Sequence, residues 1–303
     1  VTGDGVPQAD VVIEAIFENV DAKRALYATL EPRMKPGALL ATNTSSLMLE
    51  TLAEKLAEPA RLVGLHFFNP VAKMQLVEVI RKADTRPEVL QAALAFTRRL
   101  DRLPLPCRSA PGFVVNRILM PYLNEALFAA GEGAGLADID AVAVDFGMPM
   151  GPVELADTVG LDVCLHVGRI LAQAFGREAP DQIGALVEAK NLGRKSGRGL
   201  YEWRNGKPVK PTRSGAPPAD LEDRLILPML NEAVACLRER VIDDADLLDG
   251  GVIFGTGFAP FRGGPIYYAK QRGPAAIVAR LQSLEARYGA RFRPDAGWQD
   301  LSA

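Results

Sequence analysis

From Asp10 to Glu18 the chain reads DVVIEAIFE, a mostly β-branched and apolar run interrupted by acids. Such a run suits a parallel strand covered on both faces. The period then changes. In residues 19–34, NVDAKRALYATLEPRM, Ala22, Ala25, Leu26 and Leu30 fall on one helical face, and Asn19 or Asp21 would cap the helix. KPGALLATNTSS (35–46) predicts a turn, a short strand and a polar strand end, and LETLAEKLAEPARL (49–62) a second amphipathic helix. RLVGLHFF (61–68) and QLVEVIR (75–81) read as two more strands, 86–100 as a helix, and LPLPC (103–107) as a last edge strand. Strands alternating with helices predict a doubly wound α/β sheet, which binds ligands at the carboxyl ends of its strands. Glu18, Ser45, His66 and Asn69 all lie at or just past such ends.

The texture changes at Pro111. PGFVVNRILMPYLNEALFAAGEG (111–133) predicts a helix, with Pro121 expected to kink it or mark a join. No strand pattern follows for about a hundred residues, so an all-α region is expected. That region contains a repeat. RILMPYLNEA (117–126) returns as RLILPMLNEA (224–233), and FGMPMGP (146–152) is echoed by GFAPFRGGP (257–265). Two echoes in the same order indicate a duplicated helical unit. NGKPVKPTRSGAPPAD (205–220), rich in Pro and Gly, is the expected linker. The expected fold is therefore α/β then all-α: the later part of a Rossmann-like doubly wound sheet over 1–108, then two helical domains over 109–212 and 213–303.

Composition narrows the function. The 303 residues are 48% hydrophobic with a net charge of -2, which gives no electrostatic case for a nucleic-acid partner or a membrane surface. Three scattered cysteines, with no C-x-x-C, argue against a disulfide framework and suit a reducing cytoplasm. No apolar run reaches the roughly 18 residues of a membrane span. The two histidines, His66 and His166, stand far apart without ligand spacing, so no metal site is expected. There is no G-x-S-x-G elbow. GTGFAP (255–260) has Pro260 where a dinucleotide loop needs its third glycine. GRKSGRG (193–199) lacks P-loop spacing and reads as a solvated turn ahead of a basic loop near a phosphate.

Two groups could carry chemistry. If the strands holding His66 and Glu78 are neighbours, the carboxylate could orient the imidazole as a general base. A buried histidine satisfied by a hydrogen bond fits the same pattern, and residue types alone leave both readings open. Asn43, Thr44, Ser45 and Ser46 could hold a ligand or cap the following helix; capping is expected of Ser46, with Ser45 open.

VVIEAIFENVDAK, ATNTSS, GLHFFNPVAKMQLVEVI, PGFVVNR, MGPVELAD and GRKSGRGLYEW, in this order, resemble the L-3-hydroxyacyl-CoA dehydrogenase family over nearly the whole chain. The second helical copy is most like the multifunctional fatty-acid oxidation α-subunits. The resemblance implies NAD-dependent oxidation of a 3-hydroxyacyl-CoA to the 3-ketoacyl-CoA. It implies His66 as the general base, Glu78 as its partner, Ser45 and Asn116 as substrate contacts, and Glu18, Lys23, Ser45 and Asn69 near the nicotinamide and its ribose. It also implies a cytoplasmic enzyme of fatty-acid β-oxidation, with a thiolase β-subunit as a partner. The family's glycine loop, its adenosine-binding acid and the enoyl-CoA hydratase part are absent from these 303 residues. The stretch is thus expected to be part of a longer polypeptide, and to bind NAD poorly alone. The same chemistry in another acyl-CoA degradation pathway, or a non-catalytic docking role, are the competing readings.

Overall fold

A computed structural model of the protein describes residues 4–213, 215 and 217–301. The first three residues of the opening loop, and Ser214 and Ala216 of the expected linker, lie outside the described residues. The chain divides into two compact units. One runs to Val114 and adds Glu239–Leu247; the other holds Val115–Arg238 and the chain from Leu248 onward.

The first unit is a five-stranded sheet. Its strands are β1 (Val11–Glu14), β2 (Leu39–Thr42), β3 (Leu62–Phe67), β4 (Leu76–Arg81) and β5 (Leu103–Arg108), in the spatial order β1-β2-β3-β4-β5. Helices α1 (Val20–Leu30), α2 (Leu49–Ala53) and α3 (Pro87–Arg99) lie between them in sequence. β1, β2 and β3 run parallel, as do β4 and β5, but β3 and β4 are antiparallel. Only the turn at 68–75 joins β3 to β4, without a helix, and a parallel return needs a longer crossover. One face of the sheet packs Val63, Leu65, Val77 and Val79 against Val89, Ala93 and Leu94 of α3. Because side chains alternate along a strand, Gly64, His66 and Glu78 take the other face. A Cβ at Gly64 would meet the Ile80 side chain at 2.8 Å, so only glycine fits there.

Three local expectations are corrected. Helix α1 is capped by Asn19, which accepts from the Ala22 amide at 2.9 Å, but its buried residues are Lys23, Tyr27 and Leu30, while Ala25 is exposed. A buried carboxylate from β1 draws the polar ends of Lys23 and Tyr27 inward, which rotates the helix from its apolar face. The helix expected over 49–62 stops at Ala53, and a short 3-10 turn (Pro59–Arg61) follows. Pro59 disfavours helical backbone at the residue before it. Ser46 is not a cap. The helix begins at Leu49, whose amide is bonded by Ser109 Oγ, while Thr44 Oγ1 accepts from the Leu47 amide.

In the second unit, α4 (Val115–Gly131) continues through Pro121 without a join. It is followed by α5 (Leu136–Phe146), α6 (Pro152–Val159), α7 (Leu161–Phe175) and α8 (Gly184–Glu188). A hairpin of β6 (Glu202–Arg204) and β7 (Lys207–Val209) stands where helices and then a linker were expected. Its turn is Asn205-Gly206, both at positive φ, the preferred residues for a two-residue hairpin loop. Then come α9 (Leu221–Arg238), α10 (Ala245–Thr256), α11 (Pro265–Arg272) and α12 (Pro274–Tyr288).

The helical copies, expected as separate domains, share one unit, and the repeated motif explains why. Arg117 Nε of α4 lies 2.6 Å from Glu232 Oε1 of α9, and Arg224 Nε of α9 lies 2.7 Å from Glu125 Oε1 of α4. Each copy supplies the other's counter-ion, and all four side chains are buried. The second echo is instead repeated within each copy. Asp140 accepts from the Val153 amide at the start of α6, and Asp249 from the Ile266 amide at the start of α11. Gly151 and Gly264 stand where any Cβ would strike those aspartates. Residues 239–247, expected in the last helical domain, belong instead to the first unit: the Arg108 amide donates to the Val241 carbonyl at 2.7 Å, and Arg108 reaches Asp243.

Removing one member of a buried ion pair strands the other in a low-dielectric interior. Arg177 Nη1 also reaches Glu232 Oε2 at 2.6 Å and leaves that carboxylate one partner, so Arg117→Ala is expected to destabilise the helical unit by about 3 kcal/mol, the low end for a broken buried pair, in urea unfolding, and Arg117→Met combined with Glu232→Leu to cost less.

Candidate active site

His66 and Glu78 are directly opposite each other in the β3–β4 register. Cross-strand neighbours on one face are the closest side-chain pairs a sheet offers. His66 Nδ1 lies 2.6 Å from Glu78 Oε2, with the glutamate side chain fully buried. A carboxylate can only accept, so the proton sits on Nδ1 and Nε2 is left to accept one. The other carboxylate oxygen, Glu78 Oε1, accepts from the Val114 amide at 3.0 Å. The Phe68 and Phe113 rings pack at 4.5 and 5.8 Å from the imidazole. Phe113 is fully buried at φ +53, left-handed backbone that is uncommon for a bulky residue, and this turn is what aims the next amide at Glu78.

A second network surrounds the loops after β1 and β2. Glu14, the last residue of β1, is buried and accepts four bonds: from the Ile16 amide (2.6 Å), Lys23 Nζ (2.8 Å), Tyr27 Oη (2.9 Å) and Thr42 Oγ1 (2.7 Å). Burial pushes its carboxyl up, but the bonds from Lys23, Thr42 and the Ile16 amide outweigh burial and hold it below its ordinary value. Lys23 Nζ also lies 3.3 Å from Glu18 Oε2. Glu18 Oε1 in turn accepts from the Ser45 amide (2.6 Å), Ser45 Oγ (3.0 Å) and Thr44 Oγ1 (3.0 Å). Asn43 ties the two networks together, because its Oδ1 accepts from the Phe67 amide, one residue past His66.

Of the expected residues, the structure thus joins His66 with Glu78, and Glu18 with Lys23 and Ser45. Asn69 is exposed just past β3 and enters neither network. Asn116 is half-buried in the first turn of α4, in the helical unit. Sequence reasoning missed Glu14, Tyr27, Thr42 and the Val114 amide. A lone acid in a strand otherwise fit for burial was the available signal for Glu14; nothing marks a backbone amide. Gly193 and Gly199 of GRKSGRG serve packing, since a Cβ at either would strike Asp157, while Gly197 has open space around it and is at positive φ.

The network fits a nucleotide ribose in one respect. Glu18 Oε2 is buried and accepts no hydrogen bond among the described residues, so it can take a hydroxyl donor.

Residues 2–110 match the NAD-binding domain of 3-hydroxyacyl-CoA dehydrogenase, and 112–203 match its C-terminal domain. The chain belongs to the 3-hydroxyacyl-CoA dehydrogenase family. It is 40% identical over 306 aligned residues to the fatty acid oxidation complex subunit alpha of Vibrio cholerae, covering 97% of this chain and 43% of that protein. The chain thus spans less than half the length of that curated relative. Among solved structures, it resembles a 3-hydroxybutyryl-CoA dehydrogenase from Escherichia coli K12 with TM-score 0.85 and 28% identity, covering 100% of this chain and 83% of the other. It also resembles the (S)-3-hydroxybutyryl-CoA dehydrogenase of Ralstonia eutropha with TM-score 0.64 and 37% identity, covering 68% and 74%. Among the described residues, no helix is long and apolar enough to cross a membrane.

A carboxyl held below its ordinary value in the folded state stabilises the fold above its unfolded-state pKa, and that contribution is lost as pH falls through the folded pKa. Glu14 therefore favours the fold at neutral pH and ceases to do so in acid. Glu125, raised chiefly by burial, contributes with the opposite sign in the helical unit. Thr42→Val, which removes one bond to Glu14, is expected to cost about 1.5–3 kcal/mol near neutrality in urea unfolding, with the gap to wild type narrowing as the pH falls below the ordinary carboxylate range.

Proposed function

We propose that the chain oxidises the 3-hydroxyl of an acyl-CoA thioester to a ketone, with NAD as the hydride acceptor. The reading rests above all on His66 held at 2.6 Å by a buried glutamate in a family-matched dehydrogenase sheet. NAD, when bound, accepts the hydride leaving the substrate's C3 carbon. The chain's own residues handle geometry and the proton. His66 Nε2 accepts the hydroxyl proton as the C3 carbon is oxidised. Glu78 fixes the tautomer and stabilises the imidazolium that forms, and the Val114 amide keeps that carboxylate in place. The packed Phe68 and Phe113 rings restrict rotation of the imidazole and exclude water from it. Ser45 and Asn116 hydrogen-bond the substrate, and Glu18, Lys23, Ser45 and Asn69 receive the nicotinamide and its ribose. The free acceptor of Glu18 supports the ribose assignment.

The likeness to a Vibrio fatty acid oxidation complex subunit alpha supports fatty-acid β-oxidation within a complex; the cytoplasm as its location and a thiolase subunit as partner belong to the same proposal. A second reading, a short-chain 3-hydroxybutyryl-CoA dehydrogenase of another degradation pathway, is favoured by the Escherichia coli structure, which matches the whole chain including both helical copies. Turnover rates on a series of acyl-CoAs of increasing length separate the two, since only the first reading requires good long-chain rates.

His66→Gln is expected to lower NADH formation by about 100-fold or more with unchanged thermal stability. Glu78→Gln should give a smaller loss and move the pH profile of turnover. Near-wild-type NADH formation by the His66 variant would remove the general-base assignment.

A further inference from the structure

The Glu14 network carries more charge than its hydrogen bonds require. Lys23 is almost wholly buried, and its ammonium lies between two carboxylates, Glu14 Oε1 at 2.8 Å and Glu18 Oε2 at 3.3 Å. Tyr27 and Thr42, the other side chains on Glu14, are neutral donors. Burial pushes the Tyr27 phenol further up, away from ionisation. Glu14 itself is ionised at neutral pH, since its bonds hold the carboxyl below its ordinary value. Two carboxylates and one ammonium leave the cluster with one net negative charge. Charge neutrality would have needed a glutamine at position 14, which can also serve donors such as Tyr27 and Thr42. Buried Lys23 matches buried Glu14, so the excess charge falls on Glu18, whose side chain keeps about a quarter of its surface exposed at the rim of the cluster, where a cationic ligand can meet it.

A cluster of this sign distinguishes the two redox states of a nicotinamide, because the oxidised ring is a cation and the reduced ring is neutral. We infer that Glu14 is a positioning residue that sets the charge of the Glu18–Lys23–Ser45 cluster and so favours the oxidised cofactor over the reduced one. Glu14 need not touch the cofactor. It acts through Lys23, which it holds in place, and through the Coulomb field of its own charge. Lys23 in turn holds Glu18 against the Ser45 amide and hydroxyl, so the shape and the charge of the cluster share one origin. The consequence lies in loading and release: preferential binding of the oxidised form fills the site with NAD⁺ at the cost of making the bound ring a weaker hydride acceptor, and weaker holding of the reduced form speeds its release. The inference rests on the proposed placement of the nicotinamide beside Glu18.

Glu14→Gln tests it, with dissociation constants for NAD⁺ and NADH measured separately by calorimetry and by nicotinamide fluorescence on the purified full-length polypeptide that contains this stretch. The ratio of the NADH constant to the NAD⁺ constant is expected to fall by about tenfold, mostly through weaker NAD⁺ binding, with the pH profile set by His66 unmoved. Lys23→Met, which leaves both carboxylates uncompensated, should move the ratio the other way, and it serves if the first variant fails to fold. A purely structural role would lower thermal stability and shift both constants together. An unchanged ratio in either folded variant overturns the inference. Wild-type protein that binds neither form overturns the functional reading itself, and this inference with it.

Discussion

The antiparallel junction between β3 and β4 is the constraint from which the site follows. Had a helix carried the chain from β3 to β4, the strands would be parallel and Glu78 would sit at the far end of its strand from His66. The direct return at 68–75 places the two residues in register, on the face away from the α3 core. The dyad therefore costs little additional ordering: once the sheet forms, the histidine and its carboxylate are already opposite each other. The remaining contacts, the Val114 amide and the two phenylalanine rings, refine a geometry that the backbone has already set.

The two polar networks solve different problems with similar parts. Glu78 has acceptor capacity devoted to one imidazole and one amide, which suits a group whose task is to hold a base through a change of charge. Glu14 is saturated with four donors, which fix its position and favour its ionised form. Asn43 links the loops that carry them, so the proton-accepting end of the site and the charged end are held to one strand edge. Glu14 and His66 lie at or near strand ends, whereas Glu78 sits inside β4 with a ladder partner on each side.

Much of the first unit was legible in the chain. All five strands lie on the apolar runs that predicted them, but β1 stops at Glu14, short of the run to Glu18, and Ile13, Ile16 and Phe17 are exposed where a strand covered on both faces was expected. The face of α1 was not legible. Periodicity weighs Ala25 and Leu26 as apolar and Lys23 as polar, and cannot see that a carboxylate below will draw the lysine inward. His66 and Glu78 could be paired only conditionally, since spacing gives neither strand direction nor register. The β6–β7 hairpin had its signal in Asn205-Gly206, which reads as a turn, though Pro and Gly around it suggest a linker. The repeat in α4 and α9 was visible letter by letter, yet the reason for its charged positions was not. Arg117 and Glu125 stand eight residues apart, too far to pair along one helix; in the fold each faces the other copy.

That exchange ties the history of the two copies together. Duplicated segments ordinarily drift apart, each free to lose what the other retains. Here a change at Arg117 is felt by Glu232, and a change at Glu125 by Arg224, so at these positions neither copy can vary alone. The two halves of the repeat behave as the two subunits of a dimer written into one polypeptide. Their mutual recognition is inherited with the chain and does not depend on its concentration.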